Sequence, residues 1–321
     1  MFKPPFTLKN RHLQTLYAPL FRKQNTPTVE IERFNLLDGD FVEAYWYKSK
    51  PIDTRPIVTL FHGLAGSFAS PYIQGVMKAL DRKGFASVLM HFRGCSGKAN
   101  LIPRSYHSGD TADAKAWIEY LSMNYKNSKL HAVGYSIGGN MLLKLLGEEK
   151  GKTPLLSAVS VSAPMDLDIT AKRINQGFSK RYQKHLLDPL KETLLEKYKT
   201  FDMEKILNKS IDDVKNIKTI EEFDELYTAP INGFGTAKNY YKECSAKQFL
   251  KHIQIPTLII HALDDPFMTP EILPTKEELS EYITMSISEH GGHVGFVNGT
   301  LLKPNYWLEE HIVKYLLKQS S

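Results

Sequence analysis

Short apolar runs alternate with helical patterns along most of this chain, and that alternation limits the folds open to it. Six runs indicate strands: PIVTLFHG, FASVLMHF, KLHAVGYS, LLSAVSVSA, PTLIIHALDD and ITMSISEH. Continuous apolar strands separated by helices are typical of a parallel sheet that helices cover on both faces. The sequence therefore predicts an α/β fold with a mostly parallel central sheet.

The alternation is interrupted once, between the fourth and fifth of these strands. Residues from about 165 to 248 are polar and helical in pattern. An insertion between two strands of one sheet predicts a helical cap on a single domain that covers residues 1–321. Upstream of the sheet, residues 1–28 are rich in proline and indicate an irregular arm, which is followed by a β-hairpin through Asp38-Gly39. A further helix is predicted near 270–280.

The stretch GYSIGG at residues 134–139 is the strongest chemical signal. It matches G-x-S-x-G, with a predicted strand before it and a predicted helix after it, which is the context of a nucleophile elbow. The turn is so sharp that only small residues fit two positions before and two positions after the serine. We therefore predict Ser136 as the nucleophile, held clear of the sheet at the positive end of the helix.

A serine hydroxyl needs a base to remove its proton, and in this kind of site the chain order is serine, acid, histidine. Two histidines follow the last strand, and His293 is favoured over His290 because two glycines directly before it allow a tight approach to the serine. The acid is expected just after the strand LIIHA. Two neighbours compete there, and counting from the strand end favours Asp265 while leaving Asp264 open.

A serine nucleophile also needs backbone N–H groups that stabilise the oxyanion of the transition state. One is expected from Ile137, the residue after the nucleophile. The second is expected from Leu64, in the His62-Gly63-Leu64 stretch that follows the strand PIVTLF. We interpret His62 itself as a structural hydrogen-bonding residue.

Charge and cysteine content limit which binding partners and which cellular compartment we expect for this chain. The formal net charge of +6 comes from 41 basic and 35 acidic residues spread along the chain, which argues against a nucleic-acid partner. Cys95 and Cys244 have no zinc or disulfide spacing, which favours a reducing compartment. Since no secretory leader or 18-residue apolar run occurs, we predict a cytoplasmic protein without a membrane span. Weak contact with a membrane surface stays open.

Several motifs occur in an order that resembles a known family: NRHLQTL, HFRGCSG, YHSGDTAD, VGYSIGGN, ALDDPF and HGGHVGF. Together they are similar to the YheT-like branch of the α/β-hydrolases, which is related to the mammalian ABHD1/ABHD3 group. The first motif departs from that branch's NPHLQTL by Arg11 in place of proline. The resemblance implies a carboxylesterase-like activity on acyl esters with no cofactor, and a triad of Ser136, Asp265 (or Asp264) and His293.

Three hypotheses follow. In the first, the chain hydrolyses a small-molecule or lipid acyl ester through an acyl-enzyme on Ser136, with His293 as base. In the second, the same acyl group passes to an alcohol, because the triad serves either acceptor equally. In the third, which is of another class, the chain is a non-catalytic binding module on a hydrolase scaffold.

Overall fold

The sheet of eight strands organises the molecule in the computed structural model, which describes residues 2–22 and 27–320. Its strand order is β1-β2-β4-β3-β5-β6-β7-β8. The strands are β1 (Val29–Asn35), β2 (Phe41–Tyr47), β3 (Ile57–Phe61), β4 (Ala86–Met90), β5 (Leu130–Tyr135), β6 (Leu155–Val161), β7 (Thr257–Ala262) and β8 (Ile283–Ser288). A small antiparallel ribbon joins β9 (Val297–Gly299) and β10 (Pro304–Tyr306).

The pairing of the strands confirms the predicted fold class. The hairpin β1–β2 and the pair β2–β4 are antiparallel, and the other five pairings are parallel. Every residue of β3, β4, β5 and β7 is buried. Burial on both faces explains why these strands are continuous apolar runs in the sequence.

Helices cover both faces of the sheet. On one face α3 (Thr111–Asn124) and α4 (Ile137–Glu149) bury Trp117 and Leu142, and on the other α2 (Pro71–Asp81) and α12 (Trp307–Ser320) bury Ile73 and Ile312. Residues of several strands belong to each cluster, so the hydrophobic core consists of two layers, one on each side of the sheet. Among the helices of residues 2–22 and 27–320, none is long and apolar enough to cross a membrane.

Residues 162–256, between β6 and β7, form a unit that we call the helical insertion. Its helices are α5 (Leu167–Ile174), α6 (Ser179–Thr200), α7 (Met203–Leu207), α8 (Ile211–Asn216), α9 (Ile220–Phe223), α10 (Ala229–Ile231) and α11 (Ala237–Cys244). A π-helical turn, Asp224–Thr228, links α9 to α10. The insertion has an apolar cluster of its own around Leu187, Leu194 and Phe223.

The N-terminal segment differs from its prediction. Instead of an irregular arm over residues 1–28, the chain forms α1 (Arg11–Phe21), so the prediction is wrong there. The Asn10 side chain accepts hydrogen bonds from the next turn, at 2.9 and 3.1 Å, and caps the helix. Packing of the buried Gln14 and Tyr17 stabilises the helix although Pro19 lies inside it. Residue 1 and residues 23–26 of the predicted arm lie outside the described residues.

The prediction of a helix near residues 270–280 is also wrong. Two short 3₁₀ turns stand there, Pro270–Ile272 and Lys276–Glu278. Pro274 lies between them, and it disfavours a helical conformation of the residue before it and donates no backbone hydrogen bond. A single helix therefore cannot run through this stretch.

Candidate active site

Ser136 stands on a sharp turn between β5 and α4, at φ 51° and ψ −122°. Such a backbone conformation is rare for a residue with a side chain, and it holds only where the surroundings impose it. A β-carbon at Gly138 would come within 2.5 Å of the His62 carbonyl oxygen, and one at Gly134 would collide with the Gly138 carbonyl. Both glycines are therefore required for the turn that presents the serine.

His293 reaches the serine from the loop after β8. Its Nε2 lies 3.0 Å from the Ser136 Oγ, and its Nδ1 lies 2.8 Å from the Asp265 Oδ2. An ionised carboxylate only accepts hydrogen bonds, so Nδ1–H donates to Asp265 and Nε2 is left to accept from the serine hydroxyl. The side chains of His293 and Asp265 are 10% and 1% exposed, so this pair is shielded from water. The three residues predicted from the sequence thus lie within one chain of hydrogen bonds.

The alternative acid, Asp264, has other partners. Its Oδ2 lies 3.3 Å from the His290 Nδ1, and its Oδ1 accepts from the Gly292 N–H at 2.9 Å. Burial raises the pKa of this carboxyl above its ordinary value, partly offset by those hydrogen bonds. Asp264 therefore holds the loop that carries His293 and makes no hydrogen bond to His293 itself.

Phe267 is a neighbour of the imidazole that the sequence analysis missed. Its ring stacks on His293, with the ring centroids 4.0 Å apart and the planes inclined by 15°. Its N–H donates to the Asp265 Oδ1 at 2.8 Å, so one residue fixes the acid and covers the base. The sequence placed it beside the acid, in ALDDPF, but no rule of spacing predicts a stacked ring.

The two expected oxyanion donors, Leu64 and Ile137, line the cavity into which Ser136 faces. Ile137 begins α4, so its N–H is among those that have no acceptor within the helix. A β-carbon at Gly63 would lie 3.2 Å from the Ser136 Cβ, which shows how closely the loop after β3 approaches the serine. Both donors therefore belong to segments that border the nucleophile.

His62 ties this loop to its neighbour. Its Nδ1–H donates to the Gly63 carbonyl at 2.7 Å, and its Nε2 accepts from the Phe92 N–H at 3.1 Å. Burial lowers the pKa of His62 to about 3, so the ring stays neutral, as this pattern of one donor and one acceptor requires. These bonds support a structural role for His62.

A cavity of about 780 Å³ extends from Ser136 beneath the helical insertion. This volume lies within the range of small-molecule sites. Burial raises the pKa of Cys95, in the wall, to about 12, so its thiol stays protonated. The apolar lining includes Leu16 and Pro19 of α1 and, from the insertion, Leu186, Pro189, Leu190, Leu194 and Phe223.

One carboxyl, Asp224, lies in the cavity wall on the π-helical turn. It accepts a hydrogen bond from the Tyr241 hydroxyl at 2.8 Å and another from Thr228, yet burial raises its pKa to about 7. Among residues 2–22 and 27–320, no group of three or more His, Cys, Asp or Glu side chains is arranged to hold a metal ion.

Relatives of the chain match it over nearly its full length. Escherichia coli (strain K12) YheT, named as a candidate esterase, is 43% identical over 316 residues, which cover 98% of this chain and 92% of that protein. Mouse (Mus musculus) phospholipase ABHD3 is 27% identical over 293 residues, which cover 89% of this chain and 71% of that protein. The resemblance found in the sequence is therefore confirmed.

Solved structures and family models agree on the fold. The Pyrococcus furiosus esterase Pf2001 superposes with a TM-score of 0.60 at 16% identity, over 100% of this chain and 98% of that one, a likeness in fold alone. The model of the α/β-hydrolase fold family matches residues 56–300, which include β3 to β8 and all three residues of the hydrogen-bonded chain. The chain thus belongs to the α/β-hydrolase fold family, in the branch of E. coli YheT.

Proposed function

We propose that this protein hydrolyses carboxylic esters through an acyl-enzyme formed on Ser136. The observation that carries the proposal is the unbroken pair of hydrogen bonds from Asp265 through His293 to the serine hydroxyl, at 2.8 and 3.0 Å. Nucleophile, base and orienting acid are the three parts that this chemistry requires. Family membership supports it, since relatives of this chain are named as a candidate esterase and a phospholipase.

Acylation begins when the Ser136 Oγ attacks the ester carbonyl carbon and gives its proton to the His293 Nε2. The carbonyl electron pair moves to oxygen, and the Leu64 and Ile137 N–H groups stabilise the resulting oxyanion. Each such donor contributes about 3–4 kcal/mol to the transition state. When the tetrahedral intermediate collapses, His293 returns the proton to the leaving alkoxide, and the alcohol departs.

Deacylation repeats these steps with water as the nucleophile. His293 takes a proton from water, the hydroxide adds to the acyl carbon, and the proton passes back to Ser136 as the acid leaves. Asp265 keeps its charge throughout, orienting the imidazole and stabilising the imidazolium. An alcohol bound in place of water would instead give a new ester, so hydrolysis and acyl transfer share every residue of the site.

The cavity favours an acyl ester with a sizeable apolar part. Part of its wall consists of aliphatic side chains of the helical insertion, among them Leu186, Leu190 and Leu194. We propose that the insertion acts as a cap over the acyl pocket. Burial of apolar surface contributes roughly 25 cal/mol per Å², so each methylene that enters the pocket adds to affinity. Lipid acyl esters are the substrate class that these walls support.

Turnover of p-nitrophenyl esters graded by chain length tests the proposal. Ser136→Ala is expected to lower kcat by roughly 10⁶-fold, because the hydroxyl that forms the acyl-enzyme is lost. Ser160→Ala is the matched control, because Ser160 is buried on the neighbouring strand and its Oγ has no partner among the described groups. It should turn over esters at nearly the wild-type rate.

Three outcomes would contradict the proposal. Turnover by Ser136→Ala at the wild-type rate would show that another group is the nucleophile. A wild-type protein that binds the esters and cleaves none would indicate a binding module. A reaction with ethanol present that yields only ethyl ester and no free acid would replace hydrolysis by acyl transfer.

A further inference from the structure

The loop that carries His293, residues 290–297, has an unusual backbone. Gly292 has φ 58°, and Val294 and Phe296, which carry bulky side chains, have φ 58° and 47°. The left-handed region is unfavourable for a β-branched or bulky residue, which stays there only when surrounding contacts hold it. The contacts that hold this loop therefore decide where the imidazole stands.

Two side chains of α1 supply much of that hold. The Thr15 Oγ1 accepts a hydrogen bond from the His293 N–H at 3.0 Å and donates to the Arg11 carbonyl at 2.8 Å. The Gln14 Oε1 accepts from the Val297 N–H at 2.7 Å, while its Nε2 donates to the Val297 carbonyl at 2.8 Å. Gln14 is fully buried. The helix thus fixes the backbone at His293 and again four residues later.

The surfaces of the helix and the loop also fit closely. A β-carbon at Gly292 would lie 2.6 Å from both the Arg11 carbonyl oxygen and the Thr15 Oγ1, and one at Gly295 would collide with the Gln14 carbonyl. Glycine at both positions lets the loop lie directly against the helix. A displacement of α1 would therefore be felt by the loop backbone.

From these contacts we infer that α1 is a clamp on the catalytic histidine, with Thr15 and Gln14 as its positioning residues. The inference rests on the proposed function, because a fixed position of His293 matters only if His293 is the catalytic base. Thr15 acts through the His293 main chain and fixes the distance from Nε2 to the Ser136 Oγ. A misplacement of about 1 Å in such a site costs roughly 10²-fold in rate. The segment NRHLQTL, which the triad leaves without a role, gains one here.

The test removes one hydroxyl and then restores it. Thr15→Val and Thr15→Ala both lose the acceptor for the His293 N–H, and the second variant adds no methyl group that could press on Gly292. Both are expected to lower kcat by about 10- to 100-fold with KM within threefold of wild type. Thr15→Ser keeps the acceptor and should return kcat to within threefold of wild type.

Two further measurements separate positioning from general stability. The downfield proton resonance of the His293–Asp265 hydrogen bond should shift or broaden in Thr15→Val and return in Thr15→Ser. Tyr17→Phe is the matched control on the same helix, because the Tyr17 hydroxyl donates to the Leu301 carbonyl instead of the histidine loop. It should lower Tm and leave kcat and the resonance unchanged.

The outcomes distinguish this inference from the proposal beneath it. Unchanged kcat and resonance in both Thr15→Val and Thr15→Ala would overturn the clamp while Ser136→Ala remained inactive. Failure of Thr15→Ser to restore kcat would overturn it as well, because the hydroxyl would then not be the group that matters. Turnover by Ser136→Ala would instead overturn the proposed function itself.

Discussion

Two histidine–aspartate pairs lie side by side where β7 and β8 end, and they differ in what they reach. In one pair His293 and Asp265 are 2.8 Å apart, with side chains 10% and 1% exposed, and the imidazole continues to Ser136. In the other pair His290 and Asp264 are 3.3 Å apart, with side chains 30% and 16% exposed. Solvent weakens the second pair. Each carboxylate also accepts one backbone N–H, from Phe267 in the first pair and from Gly292 in the second.

Residue type does not decide which of the two aspartates forms a hydrogen bond with His293. Asp264 and Asp265 are adjacent and chemically identical, and both have an imidazole partner. The turn after β7 points one carboxylate toward the elbow and the other toward the loop backbone. We therefore assign His293 and Asp265 to the proposed chemistry, and His290 and Asp264 to the support of the loop.

Replacement of each histidine by alanine is expected to give the largest difference in kcat between the two pairs. His293→Ala should lower kcat by roughly 10⁵-fold or more, because it removes the Nε2 that lies 3.0 Å from the Ser136 Oγ. His290→Ala should lower it by less than about tenfold, through looser support of the loop. Steady-state kinetics on one ester measures both, and a larger loss in His290→Ala would reverse the assignment.

Replacement of each aspartate by asparagine is expected to give a smaller difference in kcat between the two pairs. Asp265→Asn keeps the shape of the side chain but disfavours the tautomer that leaves Nε2 free to accept, so kcat should fall by roughly 10⁴-fold. In Asp264→Asn the side chain can still accept a hydrogen bond from the Gly292 N–H, so kcat should fall by less than about tenfold. Equal losses in the two variants would mean that both carboxylates act on the base.

A third carboxyl, that of Asp224, accepts hydrogen bonds from hydroxyl groups and not from an imidazole. Burial raises the pKa of Asp224 to about 7, from an ordinary value of 3.8. Between about pH 4 and 7 the unfolded chain therefore binds fewer protons than the folded one, and stability falls as pH rises through that window. Above pH 7 the wild type carries a buried carboxylate that Asp224→Asn lacks.

Asp224→Asn should thus gain stability relative to wild type on going from pH 5 to pH 8, by on the order of 3 kcal/mol. The measurement is Tm for both proteins at the two pH values, and the expected shift is several degrees. A Tm difference that does not change with pH would show that Asp224 does not titrate in this window.

Most of the fold can be predicted from the sequence, because the patterns that indicate its strands involve only residues close together in the chain. Strands β3, β4, β5 and β7 are buried on both faces, so they are apolar throughout and stand out without any knowledge of their neighbours. The candidate residues Ser136 and His293 were found for the same reason, since each lies beside glycines just after a strand. These features need no knowledge of distant contacts.

The rest depends on contacts between distant residues. The helix α1 is stabilised by Gln14, whose partner Val297 is 283 positions away, while the prolines nearby favour an irregular segment. The stacking of Phe267 on His293 likewise joins two loops. Periodicity and turn signals report only on neighbours in sequence, so they could predict neither contact.

Covalent labelling determines directly whether Ser136 is the nucleophile. The wild-type protein is treated with a fluorophosphonate, digested, and mapped by peptide mass spectrometry. We expect one adduct, on Ser136, with labelling slowed strongly in His293→Ala and unchanged in Ser160→Ala. An adduct on a different residue, or labelling of Ser136→Ala at the wild-type rate, would contradict this expectation.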